Sequence, residues 1–197
     1  MTRDYHPLAE QGLQVGARYH LPSQIPERVR IDSPALSVMT DLRQIPAATI
    51  DRDAPLDGAN RFMIRRGVRL LLVTDDERQV LGLITANDML GEKPVQFALE
   101  RGVKRQDIRV RDIMTPRERL QVLLYSDLVR AEVGHIVATL KHAGRQHALV
   151  VDISEEDDAQ AVRGIFSASQ IARQLGVAIQ TTEVAQTFAE IGAALGR

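Results

Sequence analysis

Cysteine and tryptophan are absent from this chain of 197 residues, and aromatic residues make up only 4% of it. Without cysteine there is no disulfide framework, no thiolate metal site and no cysteine nucleophile. The formal net charge is −1, and proteins bind nucleic acid through basic patches and aromatic stacking surfaces. We therefore expect no nucleic-acid partner.

Long hydrophobic runs are also missing. No segment approaches the length of a membrane span, and the first residues, MTRDYHPLAEQGLQ, carry charges and a proline where a secretory signal needs an apolar stretch. We expect a cytoplasmic protein without a membrane partner. Hydrophobic residues at 44% and charged residues at 26% are typical of a folded, globular chain.

Recognisable catalytic patterns are missing too. The sequence has no GxxxxGK[ST] phosphate loop and no GxSxG nucleophile pattern, and none of its five histidines forms the helical pair of a zinc protease. The acidic residues at 155–158 are typical of a solvated loop. We expect neither an enzyme nor a metal site.

The strongest signal in the sequence is an internal repeat. GLITANDM at 82–89 and GIFSASQI at 164–171 share a glycine, two apolar residues, a hydroxyl residue and a polar residue three positions after it. The segments before them also follow one order in both halves: an amphipathic run, a glycine, a short apolar run and an acidic turn. An order that is kept twice predicts two copies of one structural unit.

Hydrophobic periodicity assigns the elements within each copy. The apolar runs 70–73 and 148–151 predict strands that are covered on both faces, and VLGLIT and VRGIFS predict the strands that follow. With AATI and QVLLY as earlier strands, each copy reads β-α-β-β-α. The helix before each apolar run is predicted from residues at helical spacing that end at a glycine: Leu56, Ala59 and Met63 before Gly67, and Val133, Ile136, Val137 and Leu140 before Gly144.

The predicted fold class is α+β, with two β-α-β-β-α units packed face to face as a pseudo-two-fold pair. Each unit alone would expose an apolar sheet, and the pairing covers both sheets. The predicted organisation is an irregular N-terminal arm over 1–33, a first unit over 34–107, a second unit over 108–178 and a C-terminal helix over 179–197. This last helix is expected to begin at the cap residue Thr182 and to dock, because a lone helix of its length is marginal.

These patterns resemble a tandem pair of CBS domains, often called a Bateman module. The likeness is carried by VMT at 38–40, DIMTP at 112–116, the strands that end in GLIT and GIFS, and the hydroxyl-x-x-polar start of the next helix. The resemblance implies a regulatory module with no required cofactor. It also implies an adenosine-containing ligand between the units (AMP, ADP, ATP or S-adenosylmethionine) and a homodimer that acts on an unknown downstream protein.

Carried over residue by residue, the resemblance assigns Thr85 to a ligand phosphate and Asp88 to the ribose diol. Ser167 matches the hydroxyl position of the second copy, whereas Gln170 departs from the acid. A carboxylate accepts from both diol hydroxyls in charge-assisted bonds, and an amide has a single acceptor oxygen. We therefore expect the first copy to keep a nucleotide half-site.

Both motifs also match a capping box. In this arrangement the hydroxyl residue and a side chain three positions later satisfy each other's backbone N–H groups. Glutamine is a usual partner in the box and aspartate is a less usual one. We therefore expect capping to explain Gln170 and a ligand to explain Asp88.

Basic residues that precede the buried strands extend the candidate site. Arg69 and His147 each begin a strand that should run into the cleft between the units, so both are kept as ligand candidates. The neighbouring cations are interpreted as solvated helix ends that complement the helix dipole: Arg65, Arg66, Lys141 and Arg145.

Two functions remain open at this stage. The first is a non-catalytic sensor of cellular adenine nucleotides or adenosyl compounds. The second is a ligand-free module for dimerisation or interaction, in which both motifs only cap helices. Nucleotide affinity, and its dependence on Asp88, discriminates between the two functions.

Overall fold

A computed structural model of the chain describes residues 29–154, 159–177 and 184–195. Three sequence predictions fall wholly or largely outside these ranges. They are the irregular arm over 1–33, of which only 29–33 are described, the solvated acidic loop at 155–158 and the cap residue Thr182.

The helices and strands follow one another in a similar order in the two halves. The first half contains β1 (Thr40–Asp41), β2 (Thr49–Asp51), α1 (Leu56–Arg66), β3 (Leu70–Thr74), β4 (Val80–Thr85), α2 (Ala86–Leu90) and α3 (Lys93–Arg101). The second half contains α4 (Val110–Ile113), β5 (Thr115–Pro116), β6 (Val122–Leu124), α5 (Tyr125–Leu128), α6 (Val133–His142), β7 (His147–Ile153), β8 (Gln160–Ser167), α7 (Ala168–Gln174) and α8 (Val184–Leu195).

The helices α1 and α6 occupy the two segments that the apolar periodicity predicts. Their predicted apolar residues are buried, apart from Val137, which is partly buried. After each helix the chain turns through a glycine in the left-handed region, Gly67 with φ 64° and Gly144 with φ 59°. Glycine enters this region without a steric penalty, so it ends each helix and directs the chain into the next strand.

The strands form two four-stranded sheets, with the orders β2-β3-β4-β5 and β1-β8-β7-β6. In each sheet one pair is parallel, β2 with β3 and β6 with β7, and the remaining pairs are antiparallel. The two sheets therefore repeat one topology, as the internal repeat predicts.

Each sheet takes its last strand from the other half of the chain. Strand β1 pairs with β8, and β5 pairs with β4. The arginine at the centre of this exchange, Arg163 on β8, forms ion pairs with Asp41 on β1 and with Asp152 on β7. The boundaries at 34–107 and 108–178 stay a prediction, but the segment that leads each half lies on the sheet of the other half.

The core has three parts that match the layers of the fold. One cluster lies between the first sheet and its helices, another lies between the second sheet and its helices, and a third contains Leu70, Leu72 and Leu149 together with residues of both sheets. The third cluster joins the faces of the two sheets that their helices do not cover, so the sheets pack face to face. The predicted α+β fold with two facing units is confirmed.

Helix α3 is an element that the sequence patterns did not predict. It has a proline near its start, Pro94, and its final turn is followed by Gly102 with φ 64°. Proline at the beginning and glycine just after the end are typical of helices. Within the described residues, no helix combines the length and the apolar character that a membrane crossing requires.

Candidate ligand-binding site

A cavity of about 340 Å³ lies where the two halves of the chain meet, beside the end of β4. Its volume falls in the range of about 300–1,000 Å³ that is typical of small-molecule sites. Four of the six predicted site residues line it, namely Arg69, Thr85, Asp88 and His147. Ser167 and Gln170 do not line it.

Thr85 and Asp88 are held together by a complete capping box at the start of α2. The backbone N–H and the hydroxyl of Thr85 donate to Oδ2 of Asp88, over 2.9 and 2.7 Å. The backbone N–H of Asp88 donates to Oγ1 of Thr85 over 3.2 Å. The neighbours Ala86 and Met89 are buried in the core, which fixes the orientation of this turn. Asp88 therefore caps the helix, and its assignment to a ligand stays a prediction.

The second oxygen of Asp88 faces a lysine from the next helix. Nζ of Lys93, the first residue of α3, donates to Oδ1 of Asp88. The Asp88 side chain is only 12% exposed, whereas that of Lys93 is 53% exposed. The carboxylate is therefore sheltered and the ammonium that pairs with it is accessible from solvent.

Arg69 and His147 approach the same acid from the two halves of the chain. The guanidinium of Arg69 donates to the side-chain oxygen of Asn87 over 3.2 Å. The pKa of His147 is lowered to about 4, mainly by burial and also by the positive charge of Arg69, whereas the Asp88 carboxylate acts in the opposite direction. The imidazole is therefore neutral at pH 7, so one ring nitrogen can donate a hydrogen bond and the other can accept one.

The cavity has an apolar wall and further cations that sequence reasoning missed. Leu83, Leu120 and Leu149 form the wall and belong to the cluster between the sheets. Arg119 and Arg145 also line the cavity, although Arg145 was interpreted as a solvated helix end. Arg119 and Leu120 follow β5, so the strand exchange brings them to the first sheet, and the repeat alone gives no signal of that exchange.

The second copy of the motif uses its side chains differently. Ser167 makes no capping bond, and its hydroxyl lies 3.0 Å from that of Ser169. The amide oxygen of Gln170 accepts from the Thr40 hydroxyl on β1 over 3.2 Å. The prediction that capping explains Gln170 was therefore wrong. The exchanged strand β1 brings Thr40 within reach of α7, and Gln170 binds that strand instead of its own helix start.

The register of the strands shows what replaces His147 in the first copy. Leu70 pairs with Thr85, and His147 pairs with Ser167. Leu70 and His147 are thus equivalent, and so are Asp88 and Gln170. The position equivalent to His147 therefore holds an apolar residue, and the position equivalent to Asp88 holds an amide.

Comparison with known proteins identifies the fold. A family model described as "CBS domain" matches residues 36–94. An uncharacterised conserved protein from Pyrococcus horikoshii has the same fold, with a TM-score of 0.53, 21% identity and coverage of 78% of this chain and 100% of that chain. The chain has the fold of a CBS-domain pair. The family model matches within the first half of the CBS pair, and the second half is assigned by its fold.

Other relatives are more distant or shorter in their match. A CBS-domain containing protein from Agrobacterium tumefaciens has a TM-score of 0.52 and 16% identity, with coverage of 73% of this chain and 94% of that chain. CBSX2, solved in complex with AMP, has a TM-score of 0.49 and 20% identity over 72% of this chain and 94% of that chain, a likeness too low to transfer its ligand. An uncharacterised Methanopyrus kandleri protein is 28% identical over 61 residues, which is 31% of this CBS pair and 31% of that relative.

In the parts of the chain that the structure describes, no three histidine, aspartate or glutamate side chains come together as a metal site requires. The described lining of the cavity contains one sheltered carboxylate, several cations, a neutral imidazole and an apolar wall.

Proposed function

We propose that this CBS pair is a non-catalytic regulatory module that binds one adenosine-containing molecule per chain in the cavity around Asp88. The observation that carries the proposal is the composition of this one cavity. It offers an apolar wall to a base, a sheltered acid to a ribose and cations to any phosphate. These are the groups by which proteins recognise a nucleotide.

Asp88 is the residue assigned to the ribose. Its Oδ2 is occupied by Thr85, so the diol would bind through Oδ1, where Lys93 now donates. A carboxylate oxygen accepts more than one hydrogen bond, and both diol hydroxyls are donors. In this proposal Thr85 holds the acid in place, which replaces direct phosphate binding as its main role.

A single site per chain follows from the differences between the two copies. The residue equivalent to His147 is Leu70, and the amide oxygen of Gln170 is already bonded to Thr40. A second site related to the first by the repeat would therefore have neither the acid nor the imidazole at the equivalent positions. Ser167 and Gln170 are therefore assigned to the packing between the halves.

A sensor must bind its ligand differently in two states of the protein. The cavity is built from residues of both halves, including Leu83 from the first and Leu149 from the second. A ligand that contacts both halves favours the arrangement in which residues of both halves can bind it at the same time. The regulatory output of the proposed sensor is this change in the relation between the halves.

The test is calorimetric titration of the whole chain with adenosine, AMP, ADP, ATP and S-adenosylmethionine, before and after the substitution Asp88→Asn. The asparagine amide oxygen can still accept from Thr85, so the helix start is kept, but the amide nitrogen then presents donors to the diol donors. We expect a loss of affinity of about 10- to 100-fold, because a charge-assisted bond contributes about 1.5–3 kcal/mol.

The matched control is Asp112→Asn. Asp112 is another acid in the first turn of a helix, where its carboxylate accepts from the backbone N–H of Arg109 over 2.8 Å, and it does not line the cavity. Its substitution should leave the affinity unchanged. Equal affinity of the wild-type and Asp88→Asn proteins for every ligand would reject the site.

The alternative function is a dimerisation module without a ligand. One observation favours it: Leu90, Val95 and Leu99, on α2 and α3, have exposed fractions of 65%, 56% and 79%. Exposed apolar patches are typical of interaction surfaces. This alternative predicts a dimer by analytical ultracentrifugation, no binding of any of the five ligands, and dissociation by Leu99→Lys.

A further inference from the structure

The cavity carries an excess of positive charge. Arg69, Lys93, Arg119 and Arg145 line it, and Asp88 is the one acid among the described residues of its lining. The whole chain has a formal net charge of −1, so this excess is a local feature. Clefts that are lined by one sign of charge concentrate ligands of the opposite sign.

Three of these cations have no acidic partner in the described part of the chain. Arg69 binds the neutral amide of Asn87, and no described carboxylate lies within ion-pairing distance of Arg69, Arg119 or Arg145. Burial is the main cause of the lowered pKa of His147, and the positive charge of Arg69 adds to it.

Lys93 differs from the other cations because it is paired with the acid itself. It stands at the first position of α3, next to the buried Pro94, and it occupies the oxygen of Asp88 that Thr85 does not use. A ribose that approaches this oxygen therefore meets Lys93 first. The ammonium either shares the oxygen or moves away into the basic cavity.

We infer that the cavity selects phosphorylated adenosine derivatives over adenosine and over cationic adenosyl compounds, and that Lys93 is the residue that sets this preference. The inference rests on the proposed function. Lys93 competes with the ribose for Asp88, and a ligand phosphate compensates for this competition by giving the ammonium a new partner.

The charge of the ligand decides whether Lys93 hinders or helps. Adenosine carries no charge, so it displaces Lys93 from Asp88 without offering the ammonium another anion. S-adenosylmethionine, with its sulfonium, has a net positive charge and adds repulsion from the arginines. A diphosphate supplies anionic oxygens that can accept from Lys93 and from the arginines in charge-assisted bonds. The same lysine therefore lowers the affinity for adenosine and raises the affinity for ADP.

The experiment compares adenosine, ADP and S-adenosylmethionine on the wild-type chain and on Lys93→Met, which removes the charge and keeps most of the length of the side chain. For the wild type we expect ADP to bind at least about tenfold tighter than adenosine. In Lys93→Met the affinity for adenosine should rise about two- to fivefold, because an exposed ion pair is weak. The affinity for ADP should fall about three- to tenfold.

Lys104→Met is the control. Lys104 is exposed, and it does not line the cavity, so the same change of net charge should leave the ratio of the two affinities unaltered. If Lys93→Met shifts both affinities in the same direction by the same factor, or shifts neither, the inference is overturned. The same is true if S-adenosylmethionine binds the wild type as tightly as ADP.

The outcome also separates this inference from the proposed function. Binding that depends on Asp88, combined with a ratio that Lys93→Met does not change, rejects the role of Lys93 alone. Absence of binding of all three ligands to the wild-type chain rejects the proposed site, and the inference falls with it.

Discussion

At the scale of single residues, the two halves of the molecule differ most clearly at one equivalent position, which is Leu70 in the first half and His147 in the second. Leu70 is buried between the sheets, and His147 begins the strand at the same register. An imidazole that is buried at this position loses hydration, and this loss disfavours its charged form. His147 therefore has two roles: it lines the cavity, and its titration affects the stability of the protein in acid.

The first prediction concerns the pH dependence of stability. The pKa of His147 is lowered from 6.5 to about 4 in the folded chain. Between these values the unfolded chain binds a proton that the folded chain does not bind, so the free energy of unfolding falls as the pH drops from about 6.5 towards 4. The slope is at most about 1.4 kcal/mol per pH unit, or about 3 kcal/mol in total. Above about pH 6.5 His147 adds no pH dependence to the free energy of unfolding.

The measurement is urea unfolding from pH 4.5 to 7.5 on the wild type and on His147→Leu, which copies the residue at the equivalent position. The leucine variant should lose less stability on acidification than the wild type does. His142→Leu, at an exposed position on α6, is the control and should behave as the wild type. Parallel pH profiles of all three proteins would show that His147 titrates alike in both states.

At the scale of elements, the exchange of edge strands depends on two equivalent glycines. Gly82 on β4 lies against β5, and Gly164 on β8 lies against the segment that carries Met39 and β1. A methyl group on Gly82 would lie 2.4 Å from the carbonyl oxygen of Thr115, whereas one on Gly164 would lie 2.5 Å from the Met39 sulfur. The first obstacle is backbone and the second is a flexible side chain.

The second prediction follows from this difference. Gly82→Ala should lower the free energy of unfolding by about 3 kcal/mol, because the paired strand must move, whereas Gly164→Ala should lower it by about 1 kcal/mol, because Met39 can change its rotamer. Gly58→Ala is the control on α1, where the nearest atom would lie 3.9 Å away, and it should raise stability by about 0.5–1 kcal/mol. Thermal and urea unfolding measure all three, and equal effects at positions 82 and 164 would contradict the backbone argument.

The sequence predicted the helices and strands whose structure depends on local residue patterns. The apolar residues of α1 and α6, the glycines that end these helices and the buried strands β3 and β7 follow from local periodicity. The same signals placed Arg69 and His147 at strand starts, and both line the cavity. The repeat was enough for these helices and strands because their buried residues pack within the core cluster of their own sheet.

The sequence did not predict contacts that depend on which strand meets which sheet. Thr40 reaches Gln170, and Arg119 reaches the cavity beside Asp88, because the leading segments cross between the halves. A repeat shows that two copies exist, but it does not show that they exchange strands. Lys93 was missed for another reason: the helix that it begins is signalled only by Pro94 and Gly102.

At the scale of the whole molecule, the exchanged strands and the leucine cluster between the sheets join the two halves into one structure. Each sheet would lose a paired edge strand if the halves separated, and Arg163 would lose its ion pair with Asp41. Separation would also expose Leu70, Leu72 and Leu149, which are at most 6% exposed. Neither half therefore retains its full set of contacts without the other.

The third prediction is a single cooperative unfolding transition. Because neither half is complete alone, the calorimetric enthalpy of unfolding should equal the van't Hoff enthalpy. Saturating ADP, if the proposed site is correct, should raise the midpoint of this one transition by mass action on the folded state. Differential scanning calorimetry measures both. Two separate transitions, of which only one responds to ADP, would show that the halves unfold independently.

The exchange of edge strands also bears on how the chain could be divided. A cut near residue 104 yields one fragment that carries β1, an edge of the second sheet, and another that carries β5, an edge of the first sheet. Each fragment thus carries the edge strand of the sheet that the other fragment forms. We therefore expect two such fragments to be incomplete when apart and, on mixing, to rebuild both sheets and the cavity between them.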